Sequence, residues 1–363
     1  MDRVLDFVVD GYPHFHLDGQ MAMIEDYLEA RPERRAELST AVARGALSCG
    51  PFVTLMDGFS VSGESIVRNL EDGLARAERL GGALRVGYLP DQFGHPGQML
   101  QILRIFGIDR AVVWRGVPAE LNGTTFTWRA PDGSEVLVAY LPHGYSHGRA
   151  LPDELYACAR RVAAEIARLE PFAAPGDGPA AARRRRPRAA RPGLPELVAS
   201  LGPGAALSSL GAYLAEAPAP SAEVTGELRS AAQANLLPNT YSARFTQKVA
   251  RARAEALIER YAEPLCALVE SCPDHVDELA AGWQLLHLNG AHDSVCGCSS
   301  DEVARAVDAR TNAATRLATE VTTDALGLLA AQVARPGLLR FNPCLQEVAG
   351  SPVPLPPYTI EIL

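Results

Sequence analysis

The sequence predicts an α/β fold followed by a helical bundle, on three observations. A strand–helix–strand pattern spans residues 85–114, a β-hairpin pattern follows within 125–140, and three long amphipathic stretches occupy 241–271, 274–288 and 301–333. Residues 85–89 are mostly apolar and suit a buried strand. Asp91 follows at its carboxyl end, and Gly94 and Pro96 break the extended pattern. Met99, Leu100, Ile102, Leu103 and Phe106 then form a helical stripe, with Gly107 placed to end it. Residues 108–114 return as a second strand, so about thirty residues make a βαβ unit. Barrel folds place their chemistry at the carboxyl ends of parallel strands, which makes Asp91 a candidate catalytic carboxylate. On spacing alone the stronger reading is a cap for the next helix.

Composition narrows the function classes. A chain of 363 residues with 47% hydrophobic content has room for two or three globular domains. The net charge of −9 argues against a general nucleic-acid binder. No apolar run approaches the roughly 18 residues of a membrane span. The opening Met-Asp-Arg-Val-Leu lacks the basic-then-apolar layout of a signal peptide. Seven cysteines, scattered apart from Cys296 and Cys298, fit reduced thiols in a cytoplasm better than a disulfide framework.

Along the chain, His14, His16 and Asp18 would share one face of a strand, a pattern open to a metal reading as well as to an ordinary core strand. Residues 21–48 read as helix and 49–56 as a short strand. Asp57 lies at that strand's end and Glu64 just beyond, both readable as caps or turn polarity. Thr125–Trp128 and 135–140 flank Pro131-Asp132-Gly133, a hairpin turn. Residues 173–195 hold an Ala/Arg/Pro/Gly tract with six arginines between 183 and 191, which cannot enter a core unpaired. It reads as a basic linker or anion-binding loop. The bundle stripes run through Phe245, Val249, Leu257, Tyr261 and Leu265; through Val276, Leu279, Trp283 and Leu286; and through Val303, Val307, Leu317, Val321 and Leu328. Ser299 with Glu302 reads as a capping box for the third helix.

Four motifs carry a resemblance. They are Phe-His-Leu-Asp-Gly-Gln at 15–20, Val-Ser-Gly-Glu-Ser-Ile-Val-Arg-Asn-Leu at 61–70, Leu-Pro-Asp-Gln-Phe-Gly-His-Pro at 89–96 with Val-Trp-Arg-Gly-Val at 113–117, and Ala-His-Asp-Ser-Val-Cys-Gly-Cys-Ser-Ser-Asp-Glu-Val at 291–303. In order and approximate spacing they resemble glycoside hydrolase family 38, the α-mannosidases, in its bacterial branch. The resemblance implies an incomplete (β/α)7-type barrel over 1–230, a three-helix middle domain over 240–333, and the first strands of a β-sandwich over 336–363. It also implies that the chain begins after the family's His-x-Asp metal pair and stops within the sandwich. In the family a turn of Asn-Gly-x-Asp-His type belongs near 173–195. A tract of matching length between matching flanks (169–172 and 194–198) is what a shifted frame in GC-rich DNA would give, and resequencing the gene tests that.

The resemblance assigns roles. Asp91 would be the nucleophile of a retaining mechanism and a zinc ligand, with Ca2+, Co2+ or Mn2+ as alternative ions. His292 would be a second metal ligand, and Asp293, Arg115 and Asp57 would bind substrate. The acid/base residue is unassigned; Asp177 has only its position in its favour. His143 and His147 read as loop residues contacting sugar or solvent, and Cys296 and Cys298 as buried packing. The expected ligand is an α-mannoside or a mannosylglycerate-like sugar, handled by a cytoplasmic homo-oligomer without nucleic-acid or membrane partners. With two of four metal ligands and the acid/base missing, the chain is expected to be impaired and aggregation-prone. Even outer-shell losses cost metal sites roughly 10–100-fold, and general acid catalysis is worth on the order of 10²–10⁴-fold. Two other classes remain: a non-catalytic mannoside-binding pseudoenzyme, and a metal-dependent polysaccharide deacetylase.

Overall fold

A computed structural model of the chain describes residues 1–121, 123–146, 151–172, 191–217, 219–220, 222–269, 275–334, 337–344, 346, 356–357 and 359–362. It divides into two compact units: Met1–Phe59 with Ile66–Pro238, and Ser60–Ser65 with Asn239–Leu363. Most of the arginine-rich tract, together with His147 and Asp177, lies outside the described residues.

The first unit opens with α1 (Asp2–Val9), β1 (Phe15–His16), α2 (Ala22–Ala30), α3 (Arg35–Ala43) and β2 (Leu47–Ser48), which runs parallel to β1. Leu5 and Val8, Ile24 and Leu28, and Leu38 and Val42 each sit three or four residues apart. Each helix therefore turns one apolar stripe into a shared core with Leu17 and Leu47. Residues 49–56, expected as a strand, are mostly buried but irregular. Pro51 has no N–H to give a ladder. The neighbouring amides find partners outside any strand: Phe52 N donates to Gly19 O, Val53 N to Asn69 Oδ1 and Leu55 N to Gln20 Oε1. Helix α4 (Gly63–Leu80) follows.

The βαβ unit then forms as β3 (Gly87–Leu89), α5 (Met99–Ile105) and β4 (Arg110–Val113), with β3 and β4 parallel. Met99, Leu100, Ile102 and Leu103 are the buried face of α5, and Gly107, at φ +71, ends it in the left-handed region. The hairpin is β5 (Thr125–Arg129) against β6 (Glu135–Tyr140), antiparallel, turning at Gly133 with φ +87. After α6 (Leu155–Leu169), α7 (Leu194–Ala199) and α8 (Leu210–Ala215), β7 (Glu223–Thr225) joins the sheet. The order is β3-β4-β6-β5-β7, with β6 parallel to β4 and β7 parallel to β5. Trp128, fully buried on β5, donates from Nε1 to Gly226 O at 2.7 Å and so fixes the chain leaving β7.

The second unit contains α9 (Phe245–Leu257), a π-helical turn (Ile258–Ala262), α10 (Glu263–Ala267), α11 (Val276–Gly290), α12 (His292–Val295) and α13 (Asp301–Ala331). Pro264 lacks an N–H and crowds the preceding turn, and the π-turn widens the helix just before it. The core is made by Ala254, Ile258, Leu265, Trp283 and Leu286 against Ala314, Ala318, Val321 and Ala325. Several large residues of the expected stripes are exposed, among them Phe245, Tyr261 and Val276. The packed face of α13 keeps Val307 and Val321 of the expected stripe and adds Ala314, Ala318 and Ala325, small residues that let helix axes approach. Ser300, not Ser299, caps α13, accepting from Val303 N, because Ser299 Oγ is spent on Asp293 O. Inside this unit Arg251 pairs with Glu255 at 2.9 Å, both nearly fully buried. Arg251 also donates to Leu286 O, and Glu255 accepts from Ser65 Oγ and Ser62 N. The strands β8 (Leu339–Phe341) and β9 (Ile360–Ile362) pair antiparallel. Cys266 is disulfide-bonded, whereas Cys49, Cys158, Cys296, Cys298 and Cys344 form no disulfide, so the chain has no disulfide framework among the described residues.

Candidate active site

Three neighbouring parallel strands each deliver one side chain just past their carboxyl ends. Asp91 follows β3, Arg115 follows β4 and Tyr145 follows β6. Pro90 ends β3 by removing the next ladder donor and leaves Asp91 on the sheet's rim. Arg115 donates to Asp91 Oδ1 from Nε at 3.0 Å and from Nη2 at 2.7 Å, and Nε also reaches the Asp91 carbonyl at 3.1 Å. The Tyr145 phenol donates to Oδ2 at 2.6 Å. The carboxylate thus has a cation on one oxygen and a neutral donor on the other. The side chains of Asp91 and Arg115 are 24% and 12% exposed, which leaves the pair accessible yet little screened.

Trp114 organises these donors. The Arg115 guanidinium lies over its ring at 3.9 Å, and Tyr145 meets it edge-on with centroids 5.6 Å apart. Gly144, at φ +85, lets the loop lie flat on the same indole, since a Cβ there would come within 3.1 Å of Trp114 Cε2. Arg115 Nη1 donates to Asn235 O, and its carbon lies 5.7 Å from the Phe93 ring centroid.

Asp57, expected to contact substrate, is fully buried. Its Oδ1 accepts from Phe59 N at 3.1 Å and its Oδ2 from Phe93 N at 3.3 Å, so it braces the loop that carries Asp91. His95, four residues after Asp91, is also buried, and that burial pushes its imidazole down to about 3. His143 Nε2 lies 3.0 Å from Arg168 O, and its ring packs edge-on against Phe172. Tyr145 carried no role in the sequence reading. Its only signal was a phenol in a polar loop just past a strand.

His292 and Asp293 lie in the second unit, on α12, with His292 Nε2 3.8 Å from Asp293 Oδ1. Asp293 also accepts from Ser299 Oγ and from the Cys298 thiol. Cys296 is buried as expected, whereas Cys298 is exposed. Desolvation of the sulfur and the Asp293 carboxylate beside it push the Cys298 thiol up to about 11. Near the N-terminus, His16 Nδ1 lies 3.0 Å from Ser48 Oγ, His14 Nδ1 lies 3.4 Å from Gly45 O, and Asp18 accepts from Gln20. Among the described residues no three His, Cys, Asp or Glu side chains converge as a metal site. Asp91 lies in the first unit and His292 in the second, and no step below runs through a metal.

The profile of the glycosyl hydrolases family 38 N-terminal domain matches residues 3–186, and that of the alpha mannosidase middle domain matches 235–329. A putative mannosylglycerate hydrolase of Halalkalibacterium halodurans is 35% identical over 340 residues, covering 85% of this chain and 37% of the relative. Alpha-mannosidase G of Dictyostelium discoideum is 31% identical over 140 residues, 37% of this chain and 13% of that protein. The crystal structure of an alpha-mannosidase from Enterococcus faecalis V583 superposes with a TM-score of 0.84 at 29% identity, covering 94% of this chain and 42% of that one. The chain thus spans well under half the length of these relatives. With the N-terminal profile matching half of its residues, it belongs to family 38 of the glycosyl hydrolases.

Proposed function

We propose that this chain carries the catalytic part of a retaining glycosidase that cleaves terminal α-mannosyl linkages, in an α-mannoside or a mannosylglycerate-like sugar. The observation that carries the reading is Asp91, presented at the end of β3 with both oxygens held by Arg115 and Tyr145. A nucleophilic carboxylate must be aimed at the anomeric carbon and kept from rotating, and these donors do both. Asp91 attacks C1, a second carboxylic acid protonates the departing oxygen, and water releases the sugar. Asp57 acts in this reading by bracing the Asp91 loop; Asp293 binds sugar hydroxyls. The five-stranded sheet is read as part of the family's barrel. The family is generally metal-dependent. Asp91 and His292 would be zinc donors, and the metal would orient the sugar hydroxyls. A cytoplasmic compartment and a homo-oligomer belong to the same proposal. Among the described residues no helix is long and apolar enough to cross a membrane.

The unassigned acid/base residue favours a second reading, a mannoside-binding protein without hydrolysis, and impairment of this chain belongs with it. Release of an aryl group from an aryl α-mannoside, measured beside calorimetric mannose binding, separates the two. Hydrolysis that disappears in Asp91→Ala supports the enzyme. Binding with no hydrolysis in the unsubstituted chain supports the second reading, and acetate release from an acetylated glycan would replace both with a deacetylase.

A further inference from the structure

Cys298, expected as buried packing, is exposed on the second unit. The turn that carries it is pinned to the start of α9. Arg244 donates from Nε to Gly297 O at 3.3 Å, and from Nη2 to Ser299 O at 3.4 Å and to Asp301 Oδ1 at 2.7 Å. Lys248 Nζ donates to Cys296 O at 3.2 Å. Two cations thus hold three carbonyls of residues 296–299. So fixed, the turn returns two donors to the first turn of α12. Ser299 Oγ donates to Asp293 O at 2.7 Å, and the Cys298 thiol lies 3.3 Å from Asp293 Oδ1 and 3.5 Å from its carbonyl. The thiol keeps its proton for that bond at neutral pH, because desolvation and the neighbouring carboxylate push it up to about 11.

We propose that Cys298 is a positioning residue for Asp293: its S–H holds Oδ1 and so sets the rotation in which the carboxylate meets the sugar hydroxyls. The inference rests on the reading of Asp293 as a sugar-binding residue. The Asp293 side chain is 67% exposed, so packing restrains it little, and the terminal torsion of an aspartate is intrinsically broad. Ser299 does not supply the restraint, because its hydroxyl bonds the main-chain carbonyl, which locates the residue and not its carboxylate. His292 Nε2, at 3.8 Å from Oδ1, is too far for a hydrogen bond. The thiol is a weak donor, and its contribution lies in the aim it gives. A carboxylate already aimed has less freedom to lose when the sugar binds, and ordering one side chain costs about 2–10-fold in affinity.

The test is a calorimetric titration of the full chain with methyl α-mannoside, zinc supplied throughout, beside a thermal unfolding midpoint. The proteins are the unsubstituted chain, Cys298→Ala, Cys298→Ser and Asp293→Ala. Alanine removes the donor, whereas serine keeps one at the same position. The expected result is a dissociation constant about 2–10-fold higher in Cys298→Ala and within about twofold of the unsubstituted value in Cys298→Ser, with the midpoint unchanged in both. The rescue by serine marks a role for the donated proton. No weakening in Cys298→Ala, equal weakening in the alanine and serine variants, or a weakening matched by a lower midpoint overturns the positioning role and leaves the sugar-binding reading standing. Asp293→Ala binding as tightly as the unsubstituted chain overturns the role of Asp293 and this inference with it. An unsubstituted chain with no affinity for methyl α-mannoside overturns the mannoside reading on which both rest.

Discussion

Replacing Gly73 with alanine should unfold the first unit more easily, against the usual sign for a helical glycine. Gly73 lies within α4, where alanine ordinarily gains about 1 kcal/mol over glycine. Here the added Cβ would stand 2.2 Å from Pro51 O, 2.4 Å from Phe52 C and 2.6 Å from Val53 N. All three are backbone atoms, so no side-chain rotation relieves the clash. Overpacking costs typically about 1–3 kcal/mol and occasionally more. Three such contacts put this site at or beyond the top of the range, and subtracting the helix gain leaves a net loss of about 2 kcal/mol or more. The displaced segment leads directly to Asp57, whose carboxylate holds Phe93 N two residues from Asp91, so activity should fall with stability. Gly327 in α13 is the control, because a Cβ there meets nothing within 4 Å. Urea denaturation reads both. With a slope of about 2 kcal/mol per molar urea, Gly73→Ala should lower the midpoint by about 1 M, and Gly327→Ala should raise it by about 0.3–0.5 M. Two midpoints that rise together would refute the argument from backbone approach.

Two further perturbations probe buried polar groups. Arg251→Met leaves Glu255 charged and buried on α9, with Ser65 and Ser62 as its remaining donors among the described residues, and should cost about 3–5 kcal/mol in thermal unfolding. Arg251→Met with Glu255→Leu should recover much of that loss, and a double variant no more stable than the single would count against the ion-pair account. For His95, burial moves the imidazole from its ordinary 6.5 to about 3, so the unfolded chain binds the proton that the folded chain refuses. Stability from this group is complete above pH 6.5 and is lost as pH falls through the window down to about 3. At about 1.4 kcal/mol per pH unit, the loss is about 2 kcal/mol by pH 5. His95→Leu should remove that acid-side loss, and identical urea midpoint shifts between pH 7 and pH 5 in the two proteins would contradict the assignment.

What the sequence disclosed and what it hid follow from the range of the interactions concerned. The βαβ unit and the hairpin are set by neighbours a few residues apart, by the stripe from Met99 to Leu103 and by the turn at Gly133, so they are readable locally. Residues 49–56 misled because apolar content reports burial, whereas a strand also needs a partner for every amide, and Pro51 supplies none. In α13 the expected stripe found Val307 and Val321, which are buried, but a search for large apolar residues passes over Ala314, Ala318 and Ala325, which complete the core face. The site divides the same way. Asp91 and Arg115 lie 24 positions apart, about one βα unit, so a sequence containing that unit brings the ends of two adjacent parallel strands together. Tyr145 belongs to β6, which neighbours β4 only because the hairpin folds back and inserts β6 between β4 and β5. That insertion is a property of the whole sheet. It converts an unremarked loop phenol into a donor on Oδ2. Asp57 meets Phe93 N across 36 positions, a contact that no local pattern displays. A residue whose place depends on strand order, as that of Tyr145 does, was therefore the one that local patterns could not assign.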